Sequence, residues 1–287
     1  MAEASQVQPV RAVRSAIIAP GWPPQTRAYP AVMGVLNITP DSFSDGGRFM
    51  TAADALTQAA RMIAEGADII DVGAESTRPY GGQKPVTAAE EIARLRPLLK
   101  DIVALGTPVS IDTMKAEVAR FALDAGAAII NDVWGLQRDG DMALVAAEYR
   151  VPVVAMHNRE SPDSAIDIMK DVTFFLERTL AIAAAAGIGK DRIVLDPGIG
   201  FGKTAEQSMT VLARLSELKS FGCPLLVGAS RKRFISSVSA SEPHQRLGGS
   251  LAAHLVAARN GATIIRAHDV AETVQALRVN AAIEGAR

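Results

Sequence analysis

Cysteine is nearly absent from this sequence, because Cys223 is the only one in 287 residues. A disulfide within the chain is therefore excluded, and the composition fits a reducing compartment. Charge of one sign is equally scarce: 30 Lys and Arg stand against 31 Asp and Glu, which leaves no broad basic field for nucleic acid. No apolar run reaches the ~20 residues that span a membrane. The apolar run at 16–19 is also too short for the core of a signal peptide. We expect a soluble, cytoplasmic protein without nucleic-acid or membrane partners.

What the sequence does contain is a regular alternation of short apolar runs and helical patterns, with 48% hydrophobic residues overall. The runs predict eight strands, at 32–37, 68–72, 109–112, 128–131, 152–157, 193–196, 225–228 and 263–266. The patterns between and after them predict helices at 51–65, 87–105, 115–124, 141–149, 166–186, 206–220, 246–260 and 270–284. This order is typical of an α/β fold of the (β/α)8 TIM-barrel type, as a single domain over 31–287 with an N-terminal extension over 1–30. An open, doubly wound sheet is the alternative.

The clearest single stretch runs from Ile193 to Lys203 and reads IVLDPGIGFGK. Its apolar start predicts a strand buried on both faces, so Asp196 lies at the carboxyl end of that strand, where α/β folds carry their chemistry. Two phosphate-binding patterns are excluded here. Pro197 occupies the first glycine position of a P-loop, and Lys203 the third glycine position of a dinucleotide fingerprint.

Polar residues end or follow the apolar run of each of the eight predicted strands. They are Asn37, Asp71, Asp112, Asn131, His157, Asp196, Ser230 with Lys232, and Arg266 with His268. They could be independent caps and turn formers, but Lys and Arg are poor turn residues, and the strand ends of a barrel converge on one rim. Three of them (Asp112, Asn131 and Asp196) offer acceptors to a flat heterocycle rich in N–H donors. Others (Arg266, His268 and Asn37) suit a phosphate or diphosphate. We interpret His157 as structural.

Several of these motifs together resemble the dihydropteroate synthase family. The segments are LNITPDSFSDGG (36–47), ESTRP (75–79), IDT (111–113), IND (130–132), LDPGIGFGK (195–203), SRK (230–232) and RAHDV (266–270). They occur in the family's order, and the resemblance covers the chain from about residue 31 to the end. Together they are far more specific than any one of them.

The resemblance implies a transferase that joins p-aminobenzoate to (7,8-dihydropterin-6-yl)methyl diphosphate, giving 7,8-dihydropteroate and diphosphate. It assigns the pterin to Asp112, Asn131, Asp196, Lys232, Met156 and Gly228. It assigns the diphosphate to Asn37, Arg266, His268 and Thr77, with Mg²⁺ held near Asn37. It assigns p-aminobenzoate to Phe43, Thr77, Arg78, Pro79 and Phe201. It also implies sulfonamide inhibitors and a homodimer formed through the later helices.

The chemistry expected from this resemblance is an SN1-like path. If the C–O bond breaks first, Asp112 stabilises the pterin cation, and Arg266, His268 and Mg²⁺ stabilise the leaving diphosphate, so that Asp112, Lys232, Arg266 and Asn37 are the catalytic candidates. One departure from the family is Arg233, where some members carry a serine that meets the p-aminobenzoate carboxylate; we expect Arg233 and its helix N-terminus to bind that group. The alternatives are a pterin-binding methyltransferase domain and a pterin-binding barrel without catalytic activity.

Overall fold

The computed structural model describes residues 27–38, 51–75 and 86–286. Within these ranges eight strands follow one another along the chain. They are β1 (Ala31–Asn37), β2 (Ile69–Gly73), β3 (Val109–Asp112), β4 (Ile129–Asp132), β5 (Val153–Met156), β6 (Ile193–Asp196), β7 (Leu226–Val227) and β8 (Ile264–Ala267). Each lies within two residues of the position that the apolar runs predict.

All the strands are parallel, and they form one sheet in the order β6-β5-β4-β3-β2-β1-β8-β7. The two ends of this sheet meet, because Leu195 of β6 forms a parallel bridge with Leu225, directly before β7. The Leu195 N–H donates to the Pro224 carbonyl at 2.9 Å. An eight-stranded parallel sheet that returns on itself is a (β/α)8 barrel, so the predicted fold is confirmed and the open sheet is excluded.

Ten α-helices lie outside the strands in the described ranges. They are α1 (Ala52–Ala64), α2 (Ala88–Leu95), α3 (Leu99–Ala104), α4 (Ala116–Asp124), α5 (Met142–Tyr149), α6 (Ile168–Ala185), α7 (Ala205–Ala213), α8 (Arg233–Val238), α9 (Leu247–Arg259) and α10 (Val270–Gly285). Capping boxes at Thr51, Thr87 and Thr204 fix where three of them begin. No helix of the described residues has both the length and the apolar character to cross a membrane.

Two predicted helices prove to be broken. The helix predicted over 87–105 is divided into α2 and α3, with Pro97 between them, because proline has no N–H to donate within a helix. The helix predicted over 206–220 ends at Ala213 and continues as a 3-10 helix over Leu215–Phe221. There the Asn260 amide donates to the carbonyls of Leu212 and Ala213, at 2.8 and 3.3 Å, and satisfies the end of α7.

The barrel interior is filled at its amino end by apolar side chains. A separate buried cluster contains Met33, Ile69, Ile129, Val154, Val194, Leu226 and Ile264, together with Ala31 and Ala128. Several of these residues stand two positions before a polar residue: Ile69 before Asp71, and Ile264 before Arg266. Since alternate residues of a strand share a face, the polar side chains point into the barrel at its carboxyl end, directly above this apolar layer.

Candidate active site

The carboxyl ends of the strands surround one pocket. It is lined by Asp112, Asn131, Val133, Met156, Asp196, Ile199, Phe201, Gly228, Lys232 and Arg266. All six residues that the resemblance assigns to a pterin are in this set. They come from positions as far apart in sequence as 112 and 232, and they meet because parallel strands end at the same rim.

Asp196, the last residue of β6, is a buried residue of the pocket lining, with 4% of its surface exposed. The backbone N–H of Gly198 donates to its Oδ1 at 2.7 Å, which fixes the orientation of the carboxylate. Burial raises the pKa of Asp196 to about 6, while the Gly198 N–H and the nearby Lys232 and Lys203 act in the opposite direction. The carboxylate therefore stays ionised at neutral pH and can accept hydrogen bonds from a ligand.

Arg266 of β8 binds two carboxylates at once. Its Nε donates to Asp71 Oδ2 at 2.6 Å, and its terminal NH2 group donates to Asp112 Oδ2 at 2.7 Å. Asp71 Oδ2 also accepts from the side-chain amide of Asn131 at 3.0 Å. That contact turns the Asn131 nitrogen away from the pocket and leaves Oδ1 as the acceptor for a ligand.

Asp112, which accepts a hydrogen bond from Arg266, has a raised pKa. Burial raises the pKa of Asp112 to about 7; Arg266 lowers it, and the neighbouring carboxylate of Asp71 raises it. Both Asp71 Oδ1 and Asp112 Oδ1 are buried without a hydrogen-bond partner among the described residues. Lys232 also lowers the pKa of Asp112. In its ionised form Asp112, with Oδ1 not hydrogen-bonded, would stabilise a positive charge that develops in the pocket.

Lys232 and Phe201 both line the pocket and are in direct contact. The Lys232 ammonium lies 3.9 Å from the centre of the Phe201 ring, which is a cation–π contact. Lys232 occupies the N-cap position of α8, so its backbone direction is set by the start of that helix. Gly200 is packed against the same side chain, since a Cβ there would lie 3.3 Å from Lys232 Cδ.

Three further predicted residues lie outside this lining. Asn37 is at the adjacent rim: a Cβ on Gly73 would lie 3.7 Å from Asn37 Oδ1 and 3.4 Å from Asp112 Cβ. His268 is bound to Ser230 through its backbone N–H and its Nδ1, at 3.2 and 3.0 Å. Arg233 is exposed at the first position of α8.

Four predicted residues are not among those described. Phe43, Thr77, Arg78 and Pro79 fall in the segments 39–50 and 76–85, outside the described residues. In the described ranges, no group of three or more His, Cys, Asp or Glu side chains is arranged to hold a metal ion. The predicted Mg²⁺ site at Asn37 thus has no carboxylate cluster beside it in that part of the chain.

Two charged residues of the site, Asp71 and Lys203, have roles that their sequence positions do not predict. Asp71 was noted at the end of β2, but its contact with Arg266 joins residues 195 positions apart. Lys203 ends the segment LDPGIGFGK without an assigned role, yet its ammonium is buried beneath the loop between β6 and α7. Their sequence signal was a charge in or beside an apolar strand or glycine-rich turn, where burial demands a partner. His157, interpreted as structural, is fully buried and hydrogen-bonded to Lys203 and Asp171.

Comparison with known proteins places this geometry in a family. The model of the pterin-binding enzymes matches residues 33–268. A dihydropteroate synthase of Bacillus subtilis is 46% identical over 240 residues, which cover 83% of this chain and 83% of the relative.

Two solved structures are similar along most of the chain. The Xanthomonas albilineans dihydropteroate synthase in complex with 7,8-dihydropteroate is 43% identical with a TM-score of 0.82, covering 89% of this chain and 94% of that one. The Yersinia pestis dihydropteroate synthase in complex with a sulfonamide drug is 42% identical with a TM-score of 0.84, covering 91% and 96%.

Proposed function

This chain belongs to the dihydropteroate synthase family of pterin-binding enzymes, and on that premise we propose that it joins p-aminobenzoate to (7,8-dihydropterin-6-yl)methyl diphosphate. The products are 7,8-dihydropteroate and diphosphate, so the enzyme is a transferase. The observation that carries the proposal is the single pocket in which Asp112, Asn131 and Asp196 face Lys232 and Arg266. Acceptors for a nitrogen-rich ring and donors for an anion are brought together there.

The pterin is recognised by its hydrogen-bonding edges. Asp196 accepts from the 2-amino group and N3–H, and Asn131 offers its Oδ1 on the same edge, since its nitrogen is bound to Asp71. Lys232 donates to N5 and O4 of the ring. Met156 and Gly228 complete the walls. A buried carboxylate that matches two N–H donors rejects rings lacking them, because its charge would stay unpaired.

Bond cleavage follows an SN1-like path. As the C–O bond to diphosphate breaks, positive charge spreads over the pterin and is stabilised by the Asp112 carboxylate, whose Oδ1 has no hydrogen-bond partner among the described residues. Arg266, His268, Asn37 and Thr77 hold the leaving diphosphate. The amine of p-aminobenzoate then attacks the cation and needs no strong base. Preorganised charges of this kind contribute about 10²–10³ each in rate.

Arg266 is prepared for this task before substrate arrives. Its guanidinium is held by Asp71 and Asp112 at 2.6 and 2.7 Å, so little reorganisation is needed when the diphosphate departs. The same geometry links the two ends of the reaction, because Asp112 faces the ring and Arg266 faces the leaving group.

Mg²⁺ fits the residues at the rim as a partner of the diphosphate. Mg²⁺ in proteins is usually bound through one or two protein oxygens together with substrate phosphates and waters. Asn37 offers one such oxygen beside Gly73 and Asp112. When bound, the ion would supply counter-charge to the diphosphate oxygens, and Asn37 would orient the diphosphate to which the ion is bound.

The p-aminobenzoate site lies next to Phe201 and the start of α8. Phe201 offers a ring face that Lys232 already contacts, and Arg233 offers its charge to the carboxylate. Phe43, Thr77, Arg78 and Pro79 complete the site in this proposal. A sulfonamide, which resembles p-aminobenzoate in shape, would occupy the same site. The sulfonamide complex of the Yersinia pestis relative supports sulfonamide binding by this chain.

A homodimer in the cytoplasm is the proposed state of the enzyme. Its support is the exposed apolar side chains of the last two helices, Val256 on α9 with Val279 and Ile283 on α10. Sedimentation of V279E with I283E should show monomers, whereas L144E on α5 should leave the oligomeric state unchanged. Wild-type monomers at micromolar concentration would refute the dimer. The single cysteine supports a reducing compartment.

The central test is to incubate the purified protein with both substrates and Mg²⁺ and measure diphosphate release. We expect release that depends on p-aminobenzoate and is matched by dihydropteroate formation. A pterin-binding methyltransferase domain or an inactive pterin-binding barrel would bind the pterin but give no release that depends on p-aminobenzoate. Pterin binding without diphosphate release that depends on p-aminobenzoate would therefore overturn the proposed function.

A further inference from the structure

A buried lysine lies beneath the loop that connects β6 to α7. Lys203 is 2% exposed. Its Nζ contacts three acceptors: the carbonyls of Gly198 and Phe201, at 2.9 and 3.1 Å, and Nδ1 of His157 at 2.6 Å. A lysine ammonium carries three N–H donors, so each of them has a partner without any water. None of these acceptors is a carboxylate, so the charge binds the backbone of the loop and one imidazole.

The imidazole continues the contact to the next helix. His157 Nδ1 accepts from Lys203, so Nε2 carries the ring proton, and it lies 3.0 Å from Asp171 Oδ2. Asp171 Oδ1 accepts from Arg159 at 2.8 Å. Burial lowers the pKa of His157 to about 4, which keeps the ring neutral and able to accept. Lys203, His157 and Asp171 thus form one connected chain from the loop to α6.

The loop bound by Lys203 can adopt its shape only with glycines. Gly198 and Gly202 have φ values of 67° and 53°. A Cβ would lie 1.9 Å from the His157 carbonyl oxygen at the first and 2.4 Å from Arg159 Cβ at the second. The loop is therefore packed directly on the end of β5, and Lys203 binds it from inside by carbonyls at both ends of the turn.

Two residues of the pocket take their position from the backbone atoms that Lys203 holds. Gly198, whose carbonyl accepts from Lys203, donates its own N–H to Asp196 Oδ1 at 2.7 Å. Phe201, whose carbonyl also accepts from Lys203, places its ring against Lys232. Lys203 therefore holds the backbone beside both parts of the proposed substrate site: the Asp196 carboxylate that binds the pterin and the Phe201 ring that faces p-aminobenzoate.

We propose that Lys203 is a positioning residue of the pterin site, which holds Gly198 and Phe201 so that Asp196 and the Phe201 ring meet the substrates. The inference rests on the proposed role of Asp196 in binding the pterin. It differs from the roles of Lys232 and Arg266, because Lys203 touches no substrate.

The charge of Lys203 also affects Asp196, because it lowers the pKa of that carboxylate. Burial raises the pKa of Asp196, and Lys203 lowers it together with the Gly198 N–H, Lys232 and Arg266. Burial lowers the pKa of Lys203 itself, and Asp196 and Asp171 act in the opposite direction. Loss of the Lys203 charge therefore raises the pKa of Asp196. As the pH falls, Asp196 is protonated earlier, so pterin binding is lost at a higher pH than in the wild type.

The test compares Lys203→Met with Lys170→Met, a matched change at an exposed lysine on α6. The measurements are calorimetric affinity for a pterin, the pH profile of kcat/KM for the pterin diphosphate, and the thermal midpoint. For K203M we expect affinity weaker by about tenfold to a hundredfold, as for loss of charge-assisted hydrogen bonds. We also expect the acid limb to lie at higher pH. K170M should match the wild type in all three.

Two further variants keep the proposal falsifiable if K203M does not fold. Lys203→Arg keeps the charge but not the geometry, so its acid limb should stay near that of the wild type while pterin affinity falls. Asp171→Asn weakens the hydrogen bond between His157 and residue 171, the contact of this network that is farthest from the loop. A smaller loss of pterin affinity is expected. A folded K203M with unchanged affinity and acid limb, or K203R and D171N that both match the wild type, would overturn the proposal. Absence of dihydropteroate formation in the wild type would instead refute the proposed function, and pterin affinity can still be compared.

Discussion

Replacing Asp71 with asparagine tests the charge balance of the site most directly. Asp71 and Asp112 share the Arg266 guanidinium, at 2.6 and 2.7 Å. Asp71 is one of the groups that raise the pKa of Asp112, which burial takes to about 7. Removing the Asp71 charge while keeping its shape should therefore lower the pKa of Asp112.

The size of this effect follows from the arrangement of the three groups. A like charge roughly 6 Å away costs about 3 kcal/mol at an effective dielectric constant of about 20, or about two pKa units. Arg266 lies between the two carboxylates and offsets part of their repulsion, so we expect a fall of about one pKa unit in D71N. The amide also accepts more weakly from Arg266 and Asn131, and kcat/KM at the optimum should fall by about tenfold.

The assay is the pH profile of kcat/KM for the pterin diphosphate, with Asp101→Asn as the control at an exposed position of α3. D71N should lose activity at the optimum, yet its acid limb should lie at lower pH than that of the wild type or D101N. A purely structural role for Asp71 would lower activity at every pH without moving the limb. An acid limb that is unmoved or lies at higher pH in a folded D71N would refute the reasoning.

The same linkage applies to stability. The folded-state pKa of Asp112 is above its ordinary value, so its protonated form stabilises the fold at low pH, and this contribution is lost as the pH rises through about 7. Between about pH 4 and 7 the free energy of unfolding of D71N should decline less with pH than that of the wild type. Chemical denaturation at several pH values measures the difference.

Three further outcomes are expected. R233E should raise the KM for p-aminobenzoate in steady-state assays and leave pterin affinity unchanged; equal effects on both substrates would contradict a carboxylate contact. G198A should destabilise the protein by more than about 3 kcal/mol, because its Cβ would lie 1.9 Å from the His157 carbonyl oxygen. G187A, with a φ of 78° but nothing within 4 Å, should cost only about 1–2 kcal/mol in denaturant titrations; similar losses would exclude the clash. Removing Mg²⁺ with a chelator should slow diphosphate release and leave pterin affinity intact, and an unchanged rate would argue against a metal at Asn37.

The positions of Asp112, Asn131 and Asp196 could be predicted because topology alone brings them together. Each is the last or the second-last residue of a parallel strand, and a closed barrel gives such ends a single rim. Helix ends were harder to predict. Pro97 divides a helix that apolar periodicity made continuous, and the end of α7 depends on the Asn260 amide, which is 47 residues away from Ala213.

The role of Asp71 could not be derived from its place in the sequence. A carboxylate at a strand end predicts that it faces the barrel, but not which cation it meets. Arg266 could have bound a ligand freely; the structure shows it bound to two acids. Because each carboxylate changes the pKa of the other, the chemistry of Asp112 depends on a contact that becomes visible only when the first and last parts of the barrel meet.

Lys203 and Lys232 show why charge alone does not identify a ligand contact. Each follows a buried strand by a few residues, and each lies in a loop at the same rim. The difference is in the backbone: glycines with positive φ at 198, 200 and 202 form a tight turn around Lys203, whereas Lys232 begins a helix and points to the pocket. In a turn of this kind the carbonyls compete with the substrate for the ammonium, and at Lys203 they use two of its three donors. A lysine that ends a glycine-rich turn is therefore interpreted first as a donor to the carbonyls of that turn. It affects the substrate indirectly, by fixing the residues of the turn that contact the substrate.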